Sequence, residues 1–201
     1  ELIQYFEKEG VHNAQWLPNA RKATAFTRVG RPFGKRFVFI SRVIPEKGIE
    51  EIVEAASKLP DDYIIDVYGP IDSRYLDTSY FENSHVAYRG VLKPDEVHLT
   101  LSQYDVLLLP TWFKYEGYPG IVLEALSLGI PTIATRWNAI PEIIEDGKNG
   151  VLIPIKNPAK LQEAILIFNK ENYKIFQKNA LNSFTAFDSD KVFLKLVNSY
   201  L

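Results

Sequence analysis

Two cations, two carboxylates and a proline-glycine loop stand out in this sequence for the chemistry they could do together. In SRVIPEKG, Arg42 falls just past an apolar run and Lys47 just before a helical pattern, so their side chains could converge with helix-end amides on a phosphate. In TWFKYEGYPG, Pro119 suits the first turn of a helix, where its missing N–H costs nothing, and Gly117 and Gly120 permit close approach to the backbone. The amides of Gly120, Ile121 and Val122 are then expected to face a crevice unpaired, with the positive end of the helix dipole behind them. That combination suits an anion. Glu116 belongs to the loop before the helix, and Glu124 sits about one turn into it, roughly 6 Å beyond Gly120. Carboxylates touching a phosphate would repel it, so both are better placed to accept hydrogen bonds from hydroxyls, such as those of a ribose and a sugar.

Each feature also has a plainer reading. By composition, Arg42 and Lys47 read as surface charges, and no dinucleotide or P-loop glycine fingerprint accompanies them. The glycines could serve only the turn, Glu116 could simply be exposed, and Glu124 could belong to an internal ion pair. Glu124 needs some such account, because its neighbours Ile121, Val122, Leu123, Ala125, Leu126 and Leu128 are all apolar, and a carboxylate buried without donors is costly.

The elements that must position these residues alternate. RFVFIS, YIIDVYG, HVAYRG, DVLLLP, PTIAT and GVLIP read as strands, and GIEEIVEAASKL, PDEVHLTLSQ, PGIVLEALSL and IPEIIED as intervening helices. Strands rich in Val, Ile and Leu on both faces, separated by helices, predict an α/β fold with a doubly wound parallel sheet, Rossmann-like, whose ligands bind at the carboxyl ends of the strands. An opening helix and a short AQWLP strand precede this region, NARKATAFTRVGRPFGK reads as a linker, and three helical patterns follow from Pro158. The last of them, SDKVFLKLVNSYL, places Val192, Phe193, Leu196 and Tyr200 on a face that should pack against the same domain.

Bulk properties narrow the function classes. The chain has 201 residues, 46% apolar and 24% charged, an ordinary globular composition. It has no cysteine, which excludes disulfides and thiolate metal sites, and His12, His85 and His98 are too scattered to read as metal ligands. No apolar run approaches the roughly 20 residues that span a bilayer. The net charge of −2 hides an asymmetry: residues 21–47 carry eight basic side chains against Glu46, or +7, and the remainder carries 15 basic against 24 acidic, or −9. A basic segment on an acidic body suggests an anionic ligand, whereas nucleic acid is disfavoured because no aromatic residues interleave with the basic ones in a stacking pattern and the domain is not basic overall.

Taken in order, SRVIPEKG, GVLKPDEV, YDVLLLPT, EGYPGIVLE and IPEIIEDGKNGVLIP resemble the C-terminal domain of a GT-B fold retaining glycosyltransferase of family 4, from roughly Gln15 to the C-terminus. The resemblance implies that Arg42 and Lys47 hold the diphosphate of a nucleoside diphosphate sugar and act with Glu116 at the catalytic centre. It implies that Glu124 accepts from the ribose, that Gly117, Tyr118, Pro119, Gly120, Ile121 and Val122 line the sugar and phosphate subsites, and that Tyr68, Gly90, Val91 and Leu92 line the base pocket. Ser41 stands where the family often has glycine, and Asn138 to Glu142 depart from its usual pair of glycines, so Glu142 is expected to cap or to lie at the surface.

On this resemblance, residues 1–20 are the tail of a truncated N-terminal domain and the linker, 21–186 form the nucleotide-sugar-binding domain, and 187–201 form a C-terminal helix. The implied activity is transfer of a sugar to an acceptor hydroxyl with retention, in bacterial surface polysaccharide or glycolipid synthesis. The acceptor-binding N-terminal domain is the expected partner, the acceptor a saccharide or lipid-linked species, and the 201 residues alone are expected to be inactive. No cofactor or metal is required, since the protein supplies the cations. The setting implied is cytoplasmic, with peripheral attachment at the inner face of the membrane in the longer protein. Two rival readings remain: a nucleotide-binding module without catalysis, and a related GT-B enzyme such as an epimerase or inverting transferase.

Overall fold

A computed structural model describes residues 2–14, 17–24, 30–82, 84–199 of the chain. Helix α1 (Leu2–Lys8) precedes the sheet. Strand β1 (Arg36–Ile40) leads through a 3-10 turn, Pro45–Lys47, into α2 (Ile49–Ala56) and then β2 (Ile64–Tyr68) and β3 (Val86–Tyr88). Helix α3 (Val97–Leu101) enters β4 (Val106–Leu109), and α4 (Gly120–Ser127) connects to β5 (Thr132–Thr135). Strand β6 (Gly150–Ile153) is followed by α5 (Pro158–Ile167), α6 (Tyr173–Phe184) and α7 (Ser189–Asn198).

The six strands form one sheet in the order β3-β2-β1-β4-β5-β6, every pairing parallel. Alternation of side chains along each strand explains the continuous apolar runs. Phe37, Phe39, Val106, Leu108 and Ile133 point into the core covered by α2 and α5, while Val38, Leu107, Leu109 and Ala134 point into the core shared with α4. All nine are essentially inaccessible to water, and burying a side chain of this size stabilises the fold by about 1.5–3 kcal/mol for the larger ones.

Strand order reverses between β1 and β4, so the loops after these two strands splay to opposite sides and leave a crevice at their carboxyl ends. The two expected catalytic stretches are those loops. The predicted AQWLP strand is not formed: Ala14, Leu17 and Pro18 are outside any strand, and Gln15 and Trp16 lie outside the described residues.

The packing expected for α7 is also corrected. Val192 and Leu196 are half-buried, Phe193 is 64% exposed, and Tyr200 lies outside the described residues. Helix α7 is tied down mainly at its start, by a parallel bridge between Arg21 and Asp188, and a groove of about 700 Å³ separates Val192 and Leu196 from Leu17 and Pro18. None of the residues of the two crevice loops lines that groove.

Candidate active site

The loop after β1 is fixed by its contacts with both neighbouring strands. The Ser41 amide donates to the Tyr68 carbonyl at 3.1 Å, and the Gly69 amide donates to the Gly90 carbonyl at 2.8 Å, which gathers the ends of β1, β2 and β3. A Cβ at Gly69, where φ is +139°, would collide with the Ser41 carbonyl. Gly48 closes the 3-10 turn in a left-handed conformation, φ +83°, donating its N–H to Pro45 O at 2.8 Å. A Cβ there would run into the carbonyl of Pro110, so the turn carrying Lys47 rests directly on the end of β4. The Trp112 amide completes the join by donating to Glu46 O at 2.8 Å.

This packing buries Lys47, which is 7% exposed and therefore not the surface charge that composition suggested. Its Nζ donates to Glu116 Oε2 at 2.6 Å, and the Thr111 hydroxyl lies 2.8 Å from the same oxygen. The Thr111 hydroxyl is also 3.1 Å from Glu46 O, and its single proton serves one acceptor at a time. Glu116 Oε1 has no partner among the described residues. Arg42, itself exposed, stacks on the ring of Phe113 with its guanidinium carbon 5.1 Å from the centroid, and Lys47 Nζ lies 5.0 Å from the same centroid. One aromatic ring thus gathers both predicted cations. Phe113 had no motif to mark it.

The loop from Trp112 to Pro119 is held from β5's side. Trp137 Nε1 donates to Phe113 O at 2.9 Å, and Asn138 Nδ2 donates to Lys114 O at 3.0 Å and Glu116 O at 3.2 Å. Asn138 adopts φ +46°, a left-handed conformation that Asn tolerates better than most residues. Asn138 thus holds a backbone conformation that glycine would also suit, and its side chain adds two hydrogen bonds. Glu142 is exposed, as expected, and the Tyr118 hydroxyl donates to its Oε2, which links it to the loop ahead of α4.

Pro119 takes the N-cap position of α4 in an extended conformation. The Gly120 and Ile121 amides have no acceptor among the described residues, as expected for a helix start. The Val122 amide, expected to be free, instead donates to Pro119 O at 3.1 Å, because the chain tightens into a 3-10-like first turn. Glu124 forms an ion pair with Arg21, Nε to Oε1 at 2.9 Å, and remains 19% exposed at its side chain. The internal partner that the apolar helix called for is therefore supplied by the linker.

At the β2–β3 side, Tyr68 turns its hydroxyl to Tyr104, 3.0 Å away, and Tyr104 donates to Asp66 Oδ2 at 2.7 Å. Arg89 Nε completes the network at 2.8 Å from Asp66 Oδ1. Burial first, and then the hydrogen bonds to Asp66 and Tyr68, push the Tyr104 phenol well above its ordinary value, and the bond to Asp66 raises Arg89. The predicted base-pocket residues thus divide: the Tyr68 hydroxyl is engaged inside the fold, Leu92 is half-buried, and Val91 stands 64% exposed after Gly90.

Among the described residues no cluster of three His, Asp or Glu side chains is arranged to hold a metal ion, and no helix is long and apolar enough to cross a membrane. These loops thus carry two cations, two amides without acceptors among the described residues, and two carboxylates each with an oxygen left without a partner, groups that can bind an anion and accept from hydroxyls.

Known proteins share this arrangement of elements. The family pattern described as "Glycosyl transferases group 1" matches residues 34–169. The putative colanic acid biosynthesis glycosyltransferase WcaL of Escherichia coli is 28% identical over 144 residues, 66% of this chain and 36% of WcaL. Among solved structures, sucrose-phosphate synthase from Thermosynechococcus elongatus superposes with a TM-score of 0.77 at 19% identity, covering 98% of this chain and 55% of that one. Anabaena HepE in complex with UDP gives 0.73 at 19% identity, covering 83% and 48%. The chain spans less than half the length of the curated relatives it matches.

Proposed function

Because the chain belongs to the group 1 glycosyl transferases, we propose that it is the donor-binding part of a GT-B enzyme that moves a sugar from a nucleoside diphosphate sugar to an acceptor hydroxyl with retention of configuration. The observation that carries this reading is the meeting of Lys47, Arg42 and Glu116 around Phe113 at the switch point of the sheet. As the bond between the anomeric carbon and the diphosphate breaks, negative charge grows on the leaving group. Arg42, Lys47 and the Gly120 and Ile121 amides stabilise it, and Lys47 can do so without releasing Glu116, since an ammonium has three donors. Glu116 Oε1 accepts from a hydroxyl of the transferred sugar, and Glu124 from the ribose.

Ser41, Gly90, Val91 and Leu92 border the base, with the Tyr68 ring behind them. The UDP bound by the HepE neighbour supports a nucleoside diphosphate as ligand, and the name of WcaL supports a place in polysaccharide synthesis. The acceptor, a saccharide or lipid-linked species, is met by the part of the relatives that this chain does not match. The 201 residues then bind donor without transferring it. Transfer needs no metal in this account, because protein groups supply the positive charge; the enzyme works in the cytoplasm, against the inner membrane face where its acceptor is lipid-linked.

The test is calorimetric titration of UDP and GDP into the wild type, Lys47→Ala and Glu124→Gln. Tighter binding by the wild type than by both variants supports the assignment, and equal affinities in all three contradict it. In an enzyme that also carries the region of the relatives which this chain does not match, Lys47→Ala should lower turnover by orders of magnitude, and NMR of the product should show the retained anomer.

A further inference from the structure

Arg21 belongs to the segment that sequence reading treats as linker, yet its position is tightly defined. Its amide donates to Phe187 O at 3.0 Å, and its carbonyl accepts from Ser189 at 2.9 Å. Asn19 Nδ2 donates to Tyr118 O at 3.1 Å, so the same short segment grips the loop ahead of α4. Arg21 Nη1 is held by Asn19 Oδ1 at 3.2 Å and Ala20 O at 3.1 Å. The guanidinium is thereby fixed from behind, with Nε directed at Glu124 Oε1, 2.9 Å away.

Two further facts define what this pair can do. Glu124 Oε2 has no partner among the described residues, so only half of the carboxylate is used. A Cβ at Gly120 would collide with Arg21 Nη2, which places the guanidinium over the first residue of α4, beside the two amides without acceptors.

We propose that Arg21 is a positioning residue of the nucleoside subsite: it grips Glu124 through Oε1 and so presents Oε2 to a ribose hydroxyl. The proposal rests on the reading of Glu124 as the ribose contact. Arg21 holds the carboxylate in one orientation before ligand arrives, so that less ordering is needed on binding. Because its own anchoring is through the backbone and Asn19, replacing the side chain leaves the Phe187 and Ser189 hydrogen bonds intact.

The test compares UDP with 2′,3′-dideoxy-UDP by calorimetry on the 201-residue chain, using wild type, Arg21→Ala, Arg21→Lys and Glu124→Gln. A hydrogen bond to a charged group corresponds to about tenfold or more in affinity, so the wild type should favour UDP by at least that factor. Arg21→Ala should lose most of this preference by weakening UDP and leaving dideoxy-UDP unchanged, and Arg21→Lys should recover part of it. An Arg21→Ala protein that keeps the full preference overturns the proposal. So does one that binds UDP more tightly, since Arg21 would then be a plug that ligand displaces. A uniform loss for both nucleotides also overturns it, by assigning Arg21 a purely structural role. If Glu124→Gln keeps the preference while the wild type shows it, the reading of Glu124 fails instead, and a wild type that binds neither UDP nor GDP defeats the proposed function itself.

Discussion

Lys47 Nζ lies 2.6 Å from Glu116 Oε2, joining residues 69 positions apart on the two loops that face each other across the sheet's switch point. Each side chain is only 9% exposed. An ion pair this far from water stabilises little overall, but removing one partner strands the other.

Lys47→Ala should therefore reduce stability by about 3–5 kcal/mol, because Glu116 would stay buried with only Thr111 beside it. Lys47→Met combined with Glu116→Leu should restore much of the loss. Urea denaturation of the single and double variants measures this, and simple additivity would contradict the coupling.

Gly48→Ala should destabilise strongly, by about 1–3 kcal/mol from backbone conformation alone, since φ is +83° and the new Cβ meets a backbone carbonyl at Pro110. Gly117→Ala offers the contrast. Nothing lies within 4 Å of a Cβ there, so its stability should change by no more than about 0.5 kcal/mol, and any effect it has on nucleotide binding reports on the ligand. Thermal melts of the two variants separate these cases.

Asn138→Gly should be better tolerated than Asn138→Ala. Both lose the bonds to Lys114 O and Glu116 O, but alanine adds about 1–2 kcal/mol for the left-handed conformation at φ +46°. Equal destabilisation by the two would show that the conformation is not under constraint.

The Tyr104 network predicts an alkaline limit to stability. The folded state holds the Tyr104 proton more tightly than the unfolded chain, whose tyrosine titrates near its ordinary value of 10.0. Below that pH both states are protonated and stability is full. Above it the unfolded state releases the proton first, so stability falls as pH rises toward the raised folded value. Urea midpoints from pH 9 upward should show this decline, and Tyr104→Phe should flatten it; a variant with the same slope would contradict the assignment.

Much of this was legible because apolar strands and helices alternate with turn residues. RFVFI, VLLL and TIAT announce buried parallel strands, and the two loops that follow β1 and β4 stand out by their charges and glycines. Lys47 was harder to read: composition places lysine at the surface, and its burial depends on Pro110, Glu116 and Thr111, which are distant in sequence. Arg21 was illegible for the same reason, since nothing in NARKAT shows that its backbone pairs with Phe187 and Ser189. Helix α7 misled in the opposite direction, because an amphipathic period specifies a face but not what covers it, and Phe193 and Leu194 remain exposed.

If Lys47 and Arg42 form a diphosphate site beside Glu116, titration of UDP and GDP into wild type and Arg42→Ala at two salt concentrations reads it out. Arg42 is exposed and makes no ion pair among the described residues, so its replacement should leave the fold intact. The wild type should then bind at least one of the two nucleotides, Arg42→Ala should bind it at least about tenfold more weakly, and salt should weaken the wild type more than the variant. Equal affinity and equal salt dependence in the two proteins would contradict it.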